Sequence, residues 1–492
     1  MMTTGGSSRA SDVFAQTAWF RAGAVLLLVT LPVLLWSVLC TAASSGVPWN
    51  AARLAPTFAF AQGLPIYALR ESGEQLGWFY GPGFVVWNLP ATLAASPTPA
   101  LLVAAVWNIL TWLVPVAVVL RAAGVATGGR AVVGAVLAGG LWLGNMVTNY
   151  GFYFIHVDAL CVGAGLLACV FLHRAVQSGQ ARWLAAATAA LLLAIWTKQL
   201  AVMLIPAMFG WLWRSGQREL ARRLAFQILV GGAVSAIGVF WYFGTQEVIF
   251  DLWLIHARNP WRGGAALLWA ELGRLAASAC VWIPLIILVG WLRRTDRRKI
   301  PASAISLLSL LGWCAIWQLP SGLTAVLKAG GGLNSLHTVH YLMVMLLIVA
   351  FHVFAQPVAA PTRVGLLWLT ALAVPLGNAA VFAANPGSHW KIPNSHEHML
   401  ALAREQPGRF YFPWNPLVTL MAERRIQPLD DALYCLWLSR LEPPVEAIRA
   451  AVPASPVIFY EEPAQSRFAL RYFSKTGESG ASLVRDAKGG TP

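Results

Sequence analysis

Apolar residues in this chain come in long unbroken runs, and the roughly 20 apolar residues that a helix needs to cross a bilayer fit about eleven of them. These predicted spans lie near residues 21–43, 99–120, 131–149, 156–173, 183–197, 199–213, 224–244, 274–292, 301–317, 339–356 and 364–383. The fifth and sixth are short and are separated only by Thr197 and Lys198. Shorter patterns appear between and after the spans. An amphipathic stretch at 51–62 reads as a helix lying at the membrane surface, and the alternating run PVIFYEE (456–462) reads as a strand. HEHMLALAREQ (396–406) and PPVEAIRAAV (443–452) read as short helices, and the closing ESGASLVRDAKGGTP as frayed.

Composition removes the soluble alternatives. Apolar residues make up 58% of the 492 positions and charged residues 11%, against about 45–50% and 25% in soluble domains. The 35 Lys and Arg outnumber the 20 Asp and Glu, but the basic residues fall in short patches between spans, a pattern set by membrane topology and unlike a nucleic-acid surface. Alternate loops are basic: Arg121 with Arg130, Arg174 with Arg182, RSGQRELARR (214–223), RRTDRRK (293–299) and Arg363. Such loops stay cytoplasmic, which puts the N-terminal tail (1–20) inside. The long loop 44–98, loops 245–273 and 318–338, and the segment 384–492 then lie outside. The predicted fold is an all-α polytopic membrane bundle over 21–383 with a small α+β extracytoplasmic C-terminal domain over 384–492. Six cysteines, at 40, 161, 169, 280, 314 and 435, form no CxxC pair and no cluster with histidine, so neither a disulfide framework nor a structural zinc site is predicted.

Chemistry is expected on the outer side, where long loops accumulate. The carboxylates there include Asp158, Glu71 and Glu74, and the cations include Lys198, Arg53, Arg258 and Lys328. A lysine at membrane depth is expensive and marks function; snorkelling to the interface is its alternative. His337 and His340 are three apart on one helix face, with Asn334 just before them. They lack a third ligand in sequence, so no metal site is assigned. His156, two residues from Asp158, is expected to point elsewhere, leaving Asp158 to find its partner in another segment, such as at Arg53.

In the first outer loop, Gly63-Leu64-Pro65-Ile66-Tyr67 and Tyr80-Gly81-Pro82-Gly83 form G-x-x-x-Y and Y-x-P-G turns. HVD (156–158), TKQ (197–199) and KAGGGLNSLHTVHY (328–341) stand at outer helix ends. In these features and in span number the chain resembles the GT-C superfamily of membrane glycosyltransferases, including the protein mannosyltransferase and aminoarabinose transferase branches. The resemblance implies an inner-membrane glycosyltransferase that takes a sugar from a polyprenyl-phosphate donor and passes it to a lipid, glycan or protein acceptor at the outer face. It implies a catalytic acid among Asp158, Glu71 and Glu74. Donor phosphate would be held by Lys198, Arg258, Lys328 and Arg53, and substrate by Tyr67, Tyr80, Asn334, His337 and His340. No cofactor is assigned, with a divalent cation left open. One departure stands out: the family's first loop opens with an acid, where this chain has Asn50 within Pro48-Trp49-Asn50-Ala51-Ala52-Arg53. Two other readings remain at this point. A transporter or lipid flippase would show matched broken helices in two halves, and none is found in the sequence. A non-catalytic carrier-binding member of the superfamily would fit the missing first-loop acid.

Overall fold

The computed structural model describes residues 38–123, 155–262, 302–355, 394–454, 456–460, 468–474 and 482–485, with a few single positions between them. The predicted spans at 131–149, 274–292 and 364–383, and most of 21–43, lie outside the described residues.

The long first loop opens with helix α1 (Pro48–Ala61), and the membrane helices follow as α2 (Pro97–Ala122), α3 (Val157–Ser178), α4 (Ala181–Thr197), α5 (Leu204–Arg214), α6 (Arg218–Phe243), α7 (Ala302–Val326) and α8 (His337–Ala355). α1 and α2 begin on proline, where the missing N–H costs nothing and φ is already helical. α3 is the central helix. It is buried along most of its length, and small residues let its neighbours close on it: a Cβ on Gly163 would stand 2.6 Å from Thr111 O on α2. α3 and α4 form a hairpin closed by Gly179, which takes the left-handed φ of 67°. α6 behaves in the opposite way. Phe226, Leu229, Val234, Ile237 and Trp241 are 65–84% exposed on it, an apolar surface suited to lipid.

Two spans run longer than predicted. α7 continues nine residues past 317, because the polar residues that suggested a loop are satisfied within the helix. Ser321 Oγ donates to Gln318 O at 3.0 Å and Thr324 Oγ1 to Pro320 O at 2.7 Å. α6 begins at Arg218 inside the basic stretch, where Arg223 and Glu219 pair at i,i+4. Arg121, Arg174, Arg182, Arg214 and Arg218 gather at one end of the bundle. Arg174 and Arg182 both lie over the Trp183 ring, at 4.9 and 5.3 Å. The N-termini of α2, α3 and α8 and the C-termini of α4, α6 and α7 meet at the other end.

The C-terminal region covers that second end. Helices α9 (Ser395–Glu405), α10 (Pro416–Glu423), α11 (Asp430–Leu438) and α12 (Val445–Ala451) surround a parallel sheet of order β1 (Phe410–Tyr411), β2 (Val457–Tyr460) and β3 (Ser482–Arg485), with Phe410 opposite Val457 and Val457 opposite Ser482. β3 lies in the segment read from sequence as frayed; its Ser-Leu-Val-Arg pattern gains order by pairing with β2. α1 is not a half-exposed surface helix. Asn50 to Ala59 are all buried, and Leu417 and Leu420 of α10 share a core with Leu54, Ala55 and Phe58. Glu397 accepts the Thr98 N–H at 3.0 Å, placing a carboxylate on the N-terminus of α2.

Candidate functional site

Asp158 sits in the first turn of α3 and is 1% exposed. Its Oδ1 meets Lys198 Nζ at 2.5 Å. Its Oδ2 receives His156 Nδ1 at 2.8 Å, His337 Nδ1 at 3.0 Å and Asn334 Nδ2 at 3.4 Å. The two histidine contacts put the proton on Nδ1 of each ring. The Asp158 N–H also approaches His156 Nδ1, at 3.4 Å; the shorter contact to the carboxylate decides the tautomer, so this one is dipolar only. His156 therefore points at Asp158, contrary to the expectation from sequence. It stands at the N-cap with extended backbone (φ −143°, ψ 153°), and a residue outside the helix is not bound by helical spacing.

Lys198 is where α4 breaks. Its backbone is extended (φ −147°, ψ 122°), and a 3₁₀ turn, Gln199–Met203, leads into α5. The side chain does not snorkel: it is 6% exposed, and besides Asp158 it donates to Asn334 O at 3.4 Å. Asn334 and His337 arrive from the 3₁₀ turn Leu333–Leu336 and the start of α8. Three helix ends, separated by up to about 180 positions in sequence, thus supply one hydrogen-bonded cluster around one carboxylate.

The first loop forms its wall. Tyr67 donates its hydroxyl proton to Tyr80 O at 2.8 Å, and the Tyr80 ring stands edge-on to His156 at 5.7 Å. The turn Tyr80 to Gly83 presses on the end of α4: a Cβ on Gly81 would fall 1.8 Å from Trp196 O, and one on Gly83 2.7 Å from Thr197 Oγ1. These glycines are needed for close approach. Gly81→Ala is accordingly expected to lower stability by about 1–3 kcal/mol, read as a lower unfolding temperature in detergent. The Tyr67–Ala68 strip is held by Asp251, whose Oδ2 accepts the Ala68 N–H at 3.0 Å. Burial pushes the Asp251 carboxyl well above the usual range, with Glu247 adding to the shift and the Ala68 bond opposing it.

Asn50, in the place of the family's acid, donates Nδ2 to Ala42 O at 3.0 Å and accepts the Ile155 N–H at 2.7 Å. It ties the end of the first span to the residue before His156. A carboxylate could accept from Ile155 but could not donate to Ala42.

The remaining candidates lie apart from the cluster. Glu71 and Glu74 are exposed. Arg258 is exposed, and Lys328 donates to His256 O at 2.8 Å and covers the Trp261 ring at 5.2 Å. His340 is buried one helical turn beyond His337. Arg53 pairs not with Asp158 but with Asp431 of α11, at 3.7 Å. Sequence reasoning gave His156 and Asn50 no place at the cluster and did not single out Asp431. Beside the Tyr80–Gly83 turn an apolar cleft of about 590 Å³ opens between α4 and α6, lined by Phe60, Trp87, Leu193, Trp196, Tyr242 and Phe243 among others.

A model of the family described as dolichyl-phosphate-mannose-protein mannosyltransferase matches residues 89–243, about a third of the chain. ArnT from Cupriavidus metallidurans, in a crystal structure bound to undecaprenyl phosphate, superposes with a TM-score of 0.54 over 88% of this chain and 91% of that one, at 14% identity. The chain has the GT-C fold. The apo crystal structure of the same ArnT gives a TM-score of 0.48 at 16% identity, over 88% of this chain and 78% of that one. No curated protein matches the chain. In this fold the Asp158 cluster stands where α3, the α4–α5 break and α8 meet beneath the long first loop.

Proposed function

We propose that this GT-C chain is a membrane glycosyltransferase that moves a sugar from a polyprenyl-phosphate carrier to an acceptor hydroxyl at the outer face of the plasma membrane. The observation that carries this reading is the buried Asp158, aimed by two imidazoles and an amide and neutralised by Lys198. In the transfer, the acceptor oxygen attacks the anomeric carbon and its proton passes to Asp158. The bond from that carbon to the carrier phosphate breaks with its electron pair leaving on the phosphate, and configuration inverts. An ammonium has three donors, so Lys198 can hold Asp158 and meet a phosphate oxygen in the same complex. The carrier's apolar chain finds a matching surface in the cleft between α4 and α6, and the family match and the undecaprenyl phosphate of the structural relative agree with such a donor.

Sidedness follows from charge. The arginine-rich end of the bundle is assigned to the cytoplasm and the Asp158 end, with its C-terminal cover, to the outside. A reporter active only outside the cytoplasm, fused after Pro492, is expected to give signal. Signal instead from a cytoplasm-only reporter at that position would reverse the site's sidedness. The activity itself is tested with membranes containing the overproduced chain and a panel of undecaprenyl-phosphate sugars. Release of undecaprenyl phosphate with one of them is the expected result, and no release with any sugar while carrier binding persists favours the carrier-binding alternative.

A further inference from the structure

Arg53 is the one donor-site candidate on α1, and its surroundings come from two distant parts of the chain. Its guanidinium lies between the rings of Trp49 and Tyr80, 5.2 Å from each centroid, an arrangement that suits a planar delocalised cation and sets the direction of its fork. The third side is closed by the C-terminal region, where Asp431 Oδ2 stands 3.7 Å from Nη2, both side chains being at least nine-tenths buried. Asp431 is in the first turn of α11, and α11 is fastened to the first loop just before it begins. Leu429 N–H donates to Gln75 O at 2.8 Å, and Gln75 Nε2 in turn bonds Leu69 O and Ser72 O. The carboxylate thus reaches Arg53 on a frame anchored to the same loop that carries Tyr67 and Tyr80. The ring that Arg53 covers is also the one that stands edge-on to His156, so one aromatic ring separates this guanidinium from the Asp158 cluster.

An ion pair at this depth is a poor source of stability, because desolvating both partners offsets most of their attraction. Its value lies in fixing geometry. Burial raises the Asp431 carboxyl above the usual range, and Arg53 opposes the shift. Lys198 is already engaged with Asp158 at 2.5 Å. Beside it a second cation can share the charge of a departing phosphate, and a guanidinium does so with two parallel hydrogen bonds.

We infer that Asp431 positions the Arg53 guanidinium for the phosphate of the lipid carrier, so that the C-terminal region supplies part of the donor site. The inference rests on the proposed polyprenyl-phosphate donor, and Asp431 acts in it through Arg53, as a positioning residue.

The test uses the full-length chain in detergent, with undecaprenyl phosphate and the uncharged undecaprenol as paired probes and binding followed by tryptophan fluorescence. The quantity read is the preference for the phosphate over the alcohol, which loosening of the fold alone would not move. Arg53→Lys and Asp431→Asn are each expected to cut that preference by about tenfold, and the double variant by no more than either, as for two residues acting through one contact. Asp431→Glu should restore most of it, and serves if Asp431→Asn does not fold. A full preference in Asp431→Asn, or losses that multiply in the double variant, overturns the inference and leaves the proposed donor standing. A wild-type chain that binds both probes equally overturns the proposed donor itself.

Discussion

Asp158→Asn is expected to lower sugar transfer by about 10²–10⁴, the range that a positioned acid or base contributes, with the protein still present in the membrane at normal amount. The amide keeps the size of the carboxyl and an oxygen for Lys198; what it loses is the ability to take a proton from the acceptor hydroxyl. His156 and His337 point their Nδ1–H groups at Asp158 Oδ2, at 2.8 and 3.0 Å, so both rings serve there as donors to the carboxylate. The measurement is transfer from a polyprenyl-phosphate donor in membranes matched for protein content. Glu71→Gln and Glu74→Gln serve as controls and are expected to keep wild-type turnover, since both side chains are exposed on the first loop, away from the cluster. Normal turnover in Asp158→Asn, or a large loss in one of the glutamate variants alone, removes Asp158 from the reaction.

How much of this was legible in the sequence depends on the range of the interaction involved. The bundle was, because hydrophobic runs of bilayer length and alternating basic loops are local signals. Asp158, Lys198, Asn334 and His337 could also be singled out residue by residue, since charged or polar groups at helix ends stand out in an apolar chain. Their convergence was not. Lys198 meets Asp158 across 40 positions and His337 meets it across 179, and the packing of α3 against α4 and α8 that brings them together leaves no mark in any one segment. His156 was misjudged for a more specific reason: helical spacing was applied to a residue that caps the helix from outside it. The cover over α1 was hidden because α1 reads as amphipathic only if one face meets solvent, whereas Leu417 and Leu420 arrive from some 360 residues later. The role of Asn50 needed the two backbone groups it joins. An amide that donates to Ala42 O and accepts from Ile155 N cannot be told from a lost catalytic acid by its position alone.

The largest expected effect on stability comes from Lys198→Met. From sequence alone an isolated lysine at this depth would be a burden whose removal left expression intact. The ion pair reverses that expectation. With Asp158 1% exposed and Lys198 6% exposed, removing the ammonium leaves a carboxylate buried without its counter-charge, a change that costs about 3–5 kcal/mol. The two imidazoles and Asn334 soften the loss by donating to Oδ2, but Oδ1 loses the 2.5 Å contact. Thermal unfolding in detergent should show a clearly lower midpoint for Lys198→Met, with transfer activity falling as well. The double variant Lys198→Met/Asp158→Asn carries neither charge, and most of the lost stability should return while activity stays absent. That pattern, stability restored without function, is what separates a charge pair kept for chemistry from one kept for the fold. A Lys198→Met protein as stable as wild type, or a double variant less stable than either single one, would contradict the pairing of these two residues as the organising contact of the site.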